Sequence, residues 1–478
     1  MPNQRLTSDS VETPKKGLFW FRHDLRLHDQ PALDALTEQV DEISFVYIFD
    51  TDHVKVLPTD SGQSNYHQAA VDSGNRSNKG EASQLESNFP NIGKHRYRFL
   101  IETLADLSHQ LRVLGHSLIV LNGNTLSCLE LLLMQNGYTH LGVSQHNGFN
   151  EIKALNDIQK RFVNVELIER ESFGLFNECD LPFTVNDMPQ VFSPFRRKVE
   201  KVLTVRPPLS KIESLPTSFL PQFDNLPAHI SLFDISCYAP KCDEGEFIEG
   251  KYVEGEFIGG ESAGLRHLET YLFDWNAAST YKETRNTLDV WPDSTKLSAW
   301  LANGALSARY VMQRVRHYEE TIEKNESTYW IYFELLWREF FYWLQKCHGS
   351  NWFRFSGING VSPDTTHNSD VFNDWCNGNT GYPIVDACMR QLLSTGYMSN
   401  RGRQLVASCF VHELRQDWRH GAAWFEQQLI DYDVGSNWGN WLYLAGVGSD
   451  PRGHRQFNLQ KQTETYDPDS TFRNKWLP

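Results

Sequence analysis

MSNRGRQLVASCFVHELRQDWRHGAAWFEQQLIDYDVGSNWGNWLYLAGVGSDP, Met398 to Pro451, interleaves charge and indole in a way that no ordinary core requires. Arg401, Arg403, Asp431, Asp433 and Asn437 stand beside Trp418, Trp438 and Trp441, so ionic and aromatic groups share an interior that plain packing keeps apolar. The combination points to a buried redox ligand.

Outward from this stretch the periodicity is helical from Ala263 almost to the end, as in Thr328 to Cys347 and Asp386 to Thr395, and thirteen of the fourteen tryptophans lie there. Residues 17 to about 170 instead alternate short apolar runs with amphipathic stretches. Leu18 to Arg22, Ile43 to Phe49, Ser117 to Leu121 and His140 to Ser144 predict strands of a parallel sheet. The expected architecture is an α/β domain with a Rossmann-like parallel sheet over 15–170, a long connector with an acidic insertion over 171–262, and an all-α domain over 263–478. Asp29 followed by Pro31 predicts a helix cap and a first-turn proline. No GxGxxG follows the first strand, which argues against a dinucleotide site there. In the connector EGEFI occurs at Glu244 and again at Glu254, a pattern that suits a solvated acidic loop.

The net charge of -15 argues at first against a nucleic-acid partner. Its distribution weakens the objection: from Ala263 onward 21 Lys or Arg face 24 Asp or Glu, so the first 262 residues carry -12 of the total. The opening MPNQRLTSDSVETPKKG is polar and lacks the apolar run of a signal peptide. No apolar stretch is long enough to span a bilayer, and a cytoplasmic protein is expected. Eight scattered cysteines without a CxxC pair suit free thiols better than disulfides or a zinc site, so no metal is expected.

Three constellations carry chemistry. In PDSTKLSAWLANGALSARYVMQRV, Pro292 to Val315, Ser294 or Thr295 caps a helix whose first N–H groups can hold an anion, although many helices start this way for capping alone. In YWIYFELLWREFFYWLQ, Tyr329 to Gln345, Glu334 and Arg338 are spaced i, i+4 and can form a plain surface ion pair. Alternatively Glu334 and Trp337 line a cavity that takes an aromatic ring or base. In the opening stretch a buried Arg403 needs a carboxylate, and Asp431 is placed to supply it. Asn437 can accept or donate a hydrogen bond at a ring nitrogen, and Trp441 and Trp418 can pass an electron or merely pack.

With these residues assembled, the chain resembles the photolyase/cryptochrome family and, within it, the cryptochrome-DASH branch. The resemblance rests on FWFRHDLRLHDQPAL (Phe19 to Leu33), TYKETRN (Thr280 to Asn286), TKLSAWLANGALS (Thr295 to Ser307), FELLWREFF (Phe333 to Phe341), NTGYPIVDACMRQL (Asn379 to Leu392) and the opening stretch. YKETRN, MSNRGRQ and YLAGVGSDPR favour the DASH branch. It implies FAD, folded into a U, in the helical domain. By position Tyr281, Ser294, Thr295, Lys296, Leu297 and Ser298 match adenine-side and diphosphate contacts. Arg338, Asn400 and Arg403 match residues around the flavin, Asp431 the partner of Arg403, Asp433 a contact near the ring, and Asn437 the residue facing flavin N5.

The activity so implied is repair of cyclobutane pyrimidine dimers by an electron from photoexcited reduced FAD. Glu334 matches the group that stabilises the dimer radical anion and Trp337 the ring that stacks on the flipped dimer. Arg285, Arg338 and Arg401 match phosphate contacts. Gln404 and Tyr443 stand where duplex-repairing relatives carry methionine and tryptophan, a pattern that resembles DASH proteins acting on single-stranded DNA. Trp441 and Trp418 match the first two members of the electron-transfer chain, whereas Thr365, Thr366 and His367 occupy the place of the third, leaving Trp418 or another residue such as Trp352 as its end. An antenna, 5,10-methenyltetrahydrofolate, is expected with Glu151 as a contact. A monomer is expected. The alternative is a blue-light photoreceptor with little repair activity. The chain ends at FRNKWLP without the long tail through which many cryptochromes signal, which favours repair, and nothing in the sequence suggests the nicotinamide site of a dark flavin oxidoreductase.

Overall fold

The computed structural model describes residues 13–50, 92–223, 226–235, 256–449 and 455–477. The acidic run from Asp243 to Glu254, with Cys237 and Cys242, lies outside the described residues. The first layer is a parallel sheet: β1 (Lys16–Phe21), α1 (Pro31–Thr37), β2 (Glu42–Asp50), α2 (Lys94–Val113), β3 (Leu118–Gly123), α3 (Thr125–Asn136), β4 (His140–Gln145), α4 (Phe149–Arg161) and β5 (Glu166–Glu171). The strand order is β5-β4-β1-β2-β3, with parallel pairing throughout these five. Strands buried on both faces read as continuous apolar runs, which is why Leu18 to Phe21 and Ile43 to Phe49 were visible in the sequence. The edge strand β5, ELIERE, buries only Ile168 and so lacks that signature.

The connector is more structured than its composition suggests. It contains α5 (Phe192–Val202), and its short strands β6 (Thr217–Ser218) and β7 (Ser231–Leu232) pair with β2 and β3. In α5, Phe192, Phe195 and Val199 fall at i, i+3 and i+7 and are buried against the helical domain. That domain comprises α6 (Glu261–Glu269), α7 (Tyr281–Thr284), α8 (Ser298–Ala302), α9 (Ala308–Thr321), α10 (Glu326–His348), α11 (Ser369–Asn377), α12 (Pro383–Thr395), α13 (Asn400–Ser408), α14 (Trp418–Gln428), α15 (Val434–Leu444), α16 (Leu459–Tyr466) and α17 (Thr471–Trp476). Its long element α10 is started by Asn325, whose side chain accepts from the backbone N–H groups of Ser327 and Thr328.

Asp29 does not cap α1. Its φ is 45° and its carboxylate turns into the seam between the domains, accepting from Arg309 Nε at 3.0 Å and from the Ser307 hydroxyl. Beside it the buried Arg26 donates to the carbonyls of His28, Asp29, Ser172 and Gly304, so one guanidinium ties strand-end loops to the helical domain. The backbones approach closely here. Gly304 has φ 73°, and a Cβ on it would lie 2.0 Å from the carbonyl oxygen of His23.

Candidate flavin and nucleic-acid site

A cavity of about 470 Å³ opens into the helical domain, between α10 on one side and α13 and α15 on the other. Tyr281, the Ser294 to Ser298 segment, Glu334, Trp337, Arg338, Asn400, Arg403, Gln404, Asp431, Asp433, Asn437, Trp441 and Tyr443 all line it. Residues from five regions of sequence thus converge on one space. Arg285 lines it too, whereas Arg401 lies at its rim, bonded to Gln404 and Asn286.

Charge inside the cavity is paired. Arg403 donates through one terminal nitrogen to both Asp431 oxygens, at 2.7 and 3.0 Å, and through Nε to the Met398 carbonyl. Burial works against this cation, yet the Asp431 carboxylate and the Tyr397 ring outweigh it and hold its pKa above the usual arginine value. Asp433 accepts from Ser436 N at 2.6 Å and so is the N-cap of α15. Asn437 donates its amide N–H to the Ala422 carbonyl at 2.9 Å. That uses one of the two Nδ2 donors, so the second N–H and Oδ1 are both left for a ligand.

Neither Ser294 nor Thr295 caps a helix. Ser294 follows a single 3-10 turn, Trp291–Asp293, and α8 starts only at Ser298. The segment instead presents hydroxyls and one buried amine: Lys296, at φ 53°, bonds the Ser294 hydroxyl at 2.9 Å and lies 5.2 Å from the Tyr397 ring. Burial lowers the Lys296 pKa to about 8, against the pull of Asp289 and Asp293. A buried ammonium beside the Ser294 hydroxyl suits an anionic group such as a diphosphate.

Glu334 does not pair with Arg338. It pairs with Arg285 at 2.8 Å, which places Arg285 inside the cavity beside it. Burial raises the Glu334 pKa and Arg285 pulls it back. Arg338 departs from expectation for a different reason. It points back to the domain seam, donating to the Phe173 and Leu301 carbonyls, with its guanidinium 3.7 Å from the Phe173 ring centroid. Two of its five N–H donors are used there, while the residue still lines the cavity.

Trp337 and Tyr443 make a corner, with ring centroids 6.1 Å apart and planes at 79°. The back of Trp337 is covered by Phe192, stacked at 3.7 Å and 10°, which leaves one indole face for a ligand. Arg455 lies 4.4 Å from the Tyr443 ring centroid and donates to its hydroxyl. The sequence reading missed Phe192 and Arg455. The i, i+3, i+7 pattern of α5 could have revealed the first, while Arg455 carries no local signal.

Trp441 lines the cavity and Trp418 does not. The Trp441 ring lies over Gly421, one turn beyond Trp418 on α14, so the two predicted relay residues sit on helices packed against each other. The nearest indole to Trp441 is Trp375, at 6.1 Å, and Trp418 meets Trp438, at 5.7 Å. Trp352 stacks beside His348 at 6.5 Å. Glu151 does not line the cavity: it stands in the first turn of α4 in the α/β domain, 3.8 Å from His23 and beside Arg22. No helix among the described residues is long and apolar enough to cross a membrane, and no cluster of potential metal ligands occurs among them.

Residues 17–216 match the family described as DNA photolyase, and residues 330–478 that described as FAD binding domain of DNA photolyase. Cryptochrome DASH of Idiomarina loihiensis is 46% identical over 461 residues, covering 96% of this chain and 92% of that protein. Cryptochrome DASH of Vibrio parahaemolyticus is 42% identical over 463 residues, covering 97% and 93%. The crystal structure of the Synechocystis cryptochrome superposes with a TM-score of 0.81 at 33% identity, covering 98% of this chain and 89% of the other. A parallel-sheet domain, a helical FAD-binding domain and near full-length identity to these relatives converge on one conclusion: the chain belongs to the photolyase/cryptochrome family, as a flavoprotein of the cryptochrome DASH type.

Proposed function

We propose that this protein is a light-driven lyase that splits cyclobutane pyrimidine dimers in single-stranded DNA. The observation that carries the reading is the corner of Trp337 and Tyr443 with the Glu334–Arg285 pair in the same cavity as the Arg403–Asp431 pair. FAD fits the remainder of that cavity: Lys296 and the hydroxyls of Ser294, Thr295 and Ser298 suit its diphosphate, and Asn437 and Arg403 suit its ring. When bound, reduced and excited by blue light, a flavin supplies one electron to the substrate.

The chain's own residues do the rest. Trp337, backed by Phe192, offers a rigid face on which a flipped dimer stacks, and the Tyr443 ring closes the corner. Glu334 meets the dimer carbonyl. Burial shifts Glu334 toward the protonated form, whose proton can be shared with a developing negative charge, while Arg285, which pulls the other way, adds positive potential beside it. Arg401 and Arg455 at the rim contact the flanking phosphates. Tyr443 and Gln404 give less apolar stacking area than an indole and a thioether, so less energy offsets the cost of unpairing a duplex; an already single strand avoids that cost. Trp441 hands electrons toward the cavity from the indoles behind it. We further propose a folate antenna, 5,10-methenyltetrahydrofolate, near Glu151, and a monomeric protein.

Glu334→Ala tests the site. The variant is expected to keep its flavin and lose at least tenfold in dimer splitting under light, because one electrostatic group facing developing charge is worth about 2.7–4 kcal/mol. Unchanged repair would overturn the role of Glu334.

A further inference from the structure

The α15 helix carries two tryptophans one turn apart in different surroundings. Trp441 faces the cavity. Trp438, 1% exposed, is T-shaped against Trp418 at 5.7 Å and 80° and donates its indole N–H to Glu426 Oε2 at 3.2 Å. Glu426 is half-buried on α14. The neighbouring indoles end differently: Trp418 donates to the Phe355 carbonyl and Trp375 to the Val406 carbonyl. Where the family's third relay tryptophan is missing, His367 stacks on His420 at 3.7 Å and 11°, and neither ring replaces an indole as an electron donor.

An indole that has lost an electron becomes a strong N–H acid. A backbone carbonyl cannot take that proton, whereas a carboxylate can, and its negative charge also attracts the hole before the proton moves. Of Trp375, Trp418 and Trp438, only the last has such a partner.

We propose that Trp438 and Glu426 form the terminus of the electron path into the cavity, an inference that rests on the flavin reading above. One electron leaves Trp441 for photoexcited oxidised flavin. Trp418 refills Trp441, and Trp438 refills Trp418. The Trp438 N–H proton passes to Glu426 Oε2, leaving a neutral indolyl radical that an external thiol reduces by one electron.

The test uses the full-length protein loaded with oxidised FAD, flashed with blue light in the presence of a thiol, with the tryptophan radical followed by transient absorption. Wild type is expected to show a long-lived neutral radical. In Trp438→Phe its lifetime should fall at least tenfold, with flavin content and repair by dithionite-reduced protein retained. In the isosteric Glu426→Gln variant the radical should remain a protonated cation at pH 7 and decay faster. Wild-type behaviour in both variants, or the same loss from Trp375→Phe alone, would overturn the inference while leaving the flavin reading intact. A wild-type protein that takes up no flavin would overturn both.

Discussion

At the scale of residues, paired charge sets the chemistry of the cavity. Removing Arg403 strands the buried Asp431 carboxylate, which costs on the order of 3–5 kcal/mol. Arg403→Ala should therefore lower the denaturation midpoint and release flavin, as checked by urea unfolding and flavin absorbance; unchanged flavin retention would contradict the assignment. Lys296 yields a pH dependence of definite sign. Its free-state pKa of about 8 means the cavity loses a positive charge as pH rises beyond that value, so affinity for an anionic diphosphate falls. Loss of one charge-assisted contact of about 1.5–3 kcal/mol corresponds to about tenfold or more in Kd between pH 7 and 9.5. Lys296→Gln should flatten the profile in a flavin titration. In the ligand-free chain the same group acts oppositely. Unfolded lysine keeps its proton to about pH 10.4, so between pH 8 and that value the unfolded state binds more protons and this group's contribution to stability rises. Arg403 and Asp431 were legible in the sequence because charge beside indole needs an explanation. The Arg285–Glu334 pair was not, since the i, i+4 spacing of Glu334 and Arg338 offered a local partner that α10 in fact turns toward Phe173.

At the scale of elements, α14 and α15 must lie close enough for Trp441 to wall the cavity. Gly421 permits it: a Cβ there would sit 2.2 Å from Trp441 Cη2. Gly421→Ala gains about 1 kcal/mol of helix propensity, but overpacking costs about 1–3 kcal/mol. The expected outcome is a less stable protein with a shifted flavin spectrum, measured by thermal unfolding and absorbance; a stabilised variant with an unchanged spectrum would contradict this packing. The long helix α10 was readable from its periodicity because its buried face repeats through Ile331, Leu335, Leu336, Trp343 and Leu344. The five-residue helix α8 was not, because Lys296 takes a left-handed conformation just where a cap was expected. The helix α5 was hidden by the proline and serine around it, although its apolar face supplies the back wall of Trp337.

At the scale of the whole molecule, two layers meet along a seam of buried polar groups, with Arg26 bonding four carbonyls and Asp29 holding Arg309. Alternating apolar runs disclosed the parallel sheet, and dense tryptophan disclosed the helical half. Long-range pairing across the seam left no local pattern to find. The cavity that results has a corner of Trp337 and Tyr443, a tyrosine where a larger indole would offset the opening of a duplex. The most direct test of the account is therefore strand selectivity: flavin-reduced protein is given one oligonucleotide with a single cyclobutane thymine dimer, either alone or annealed to its complement, in blue light and in darkness. The account predicts loss of the dimer from the single strand in light only, at least tenfold faster than from the duplex. Equal rates for the two, or no splitting of the single strand by reduced protein in light, would contradict it.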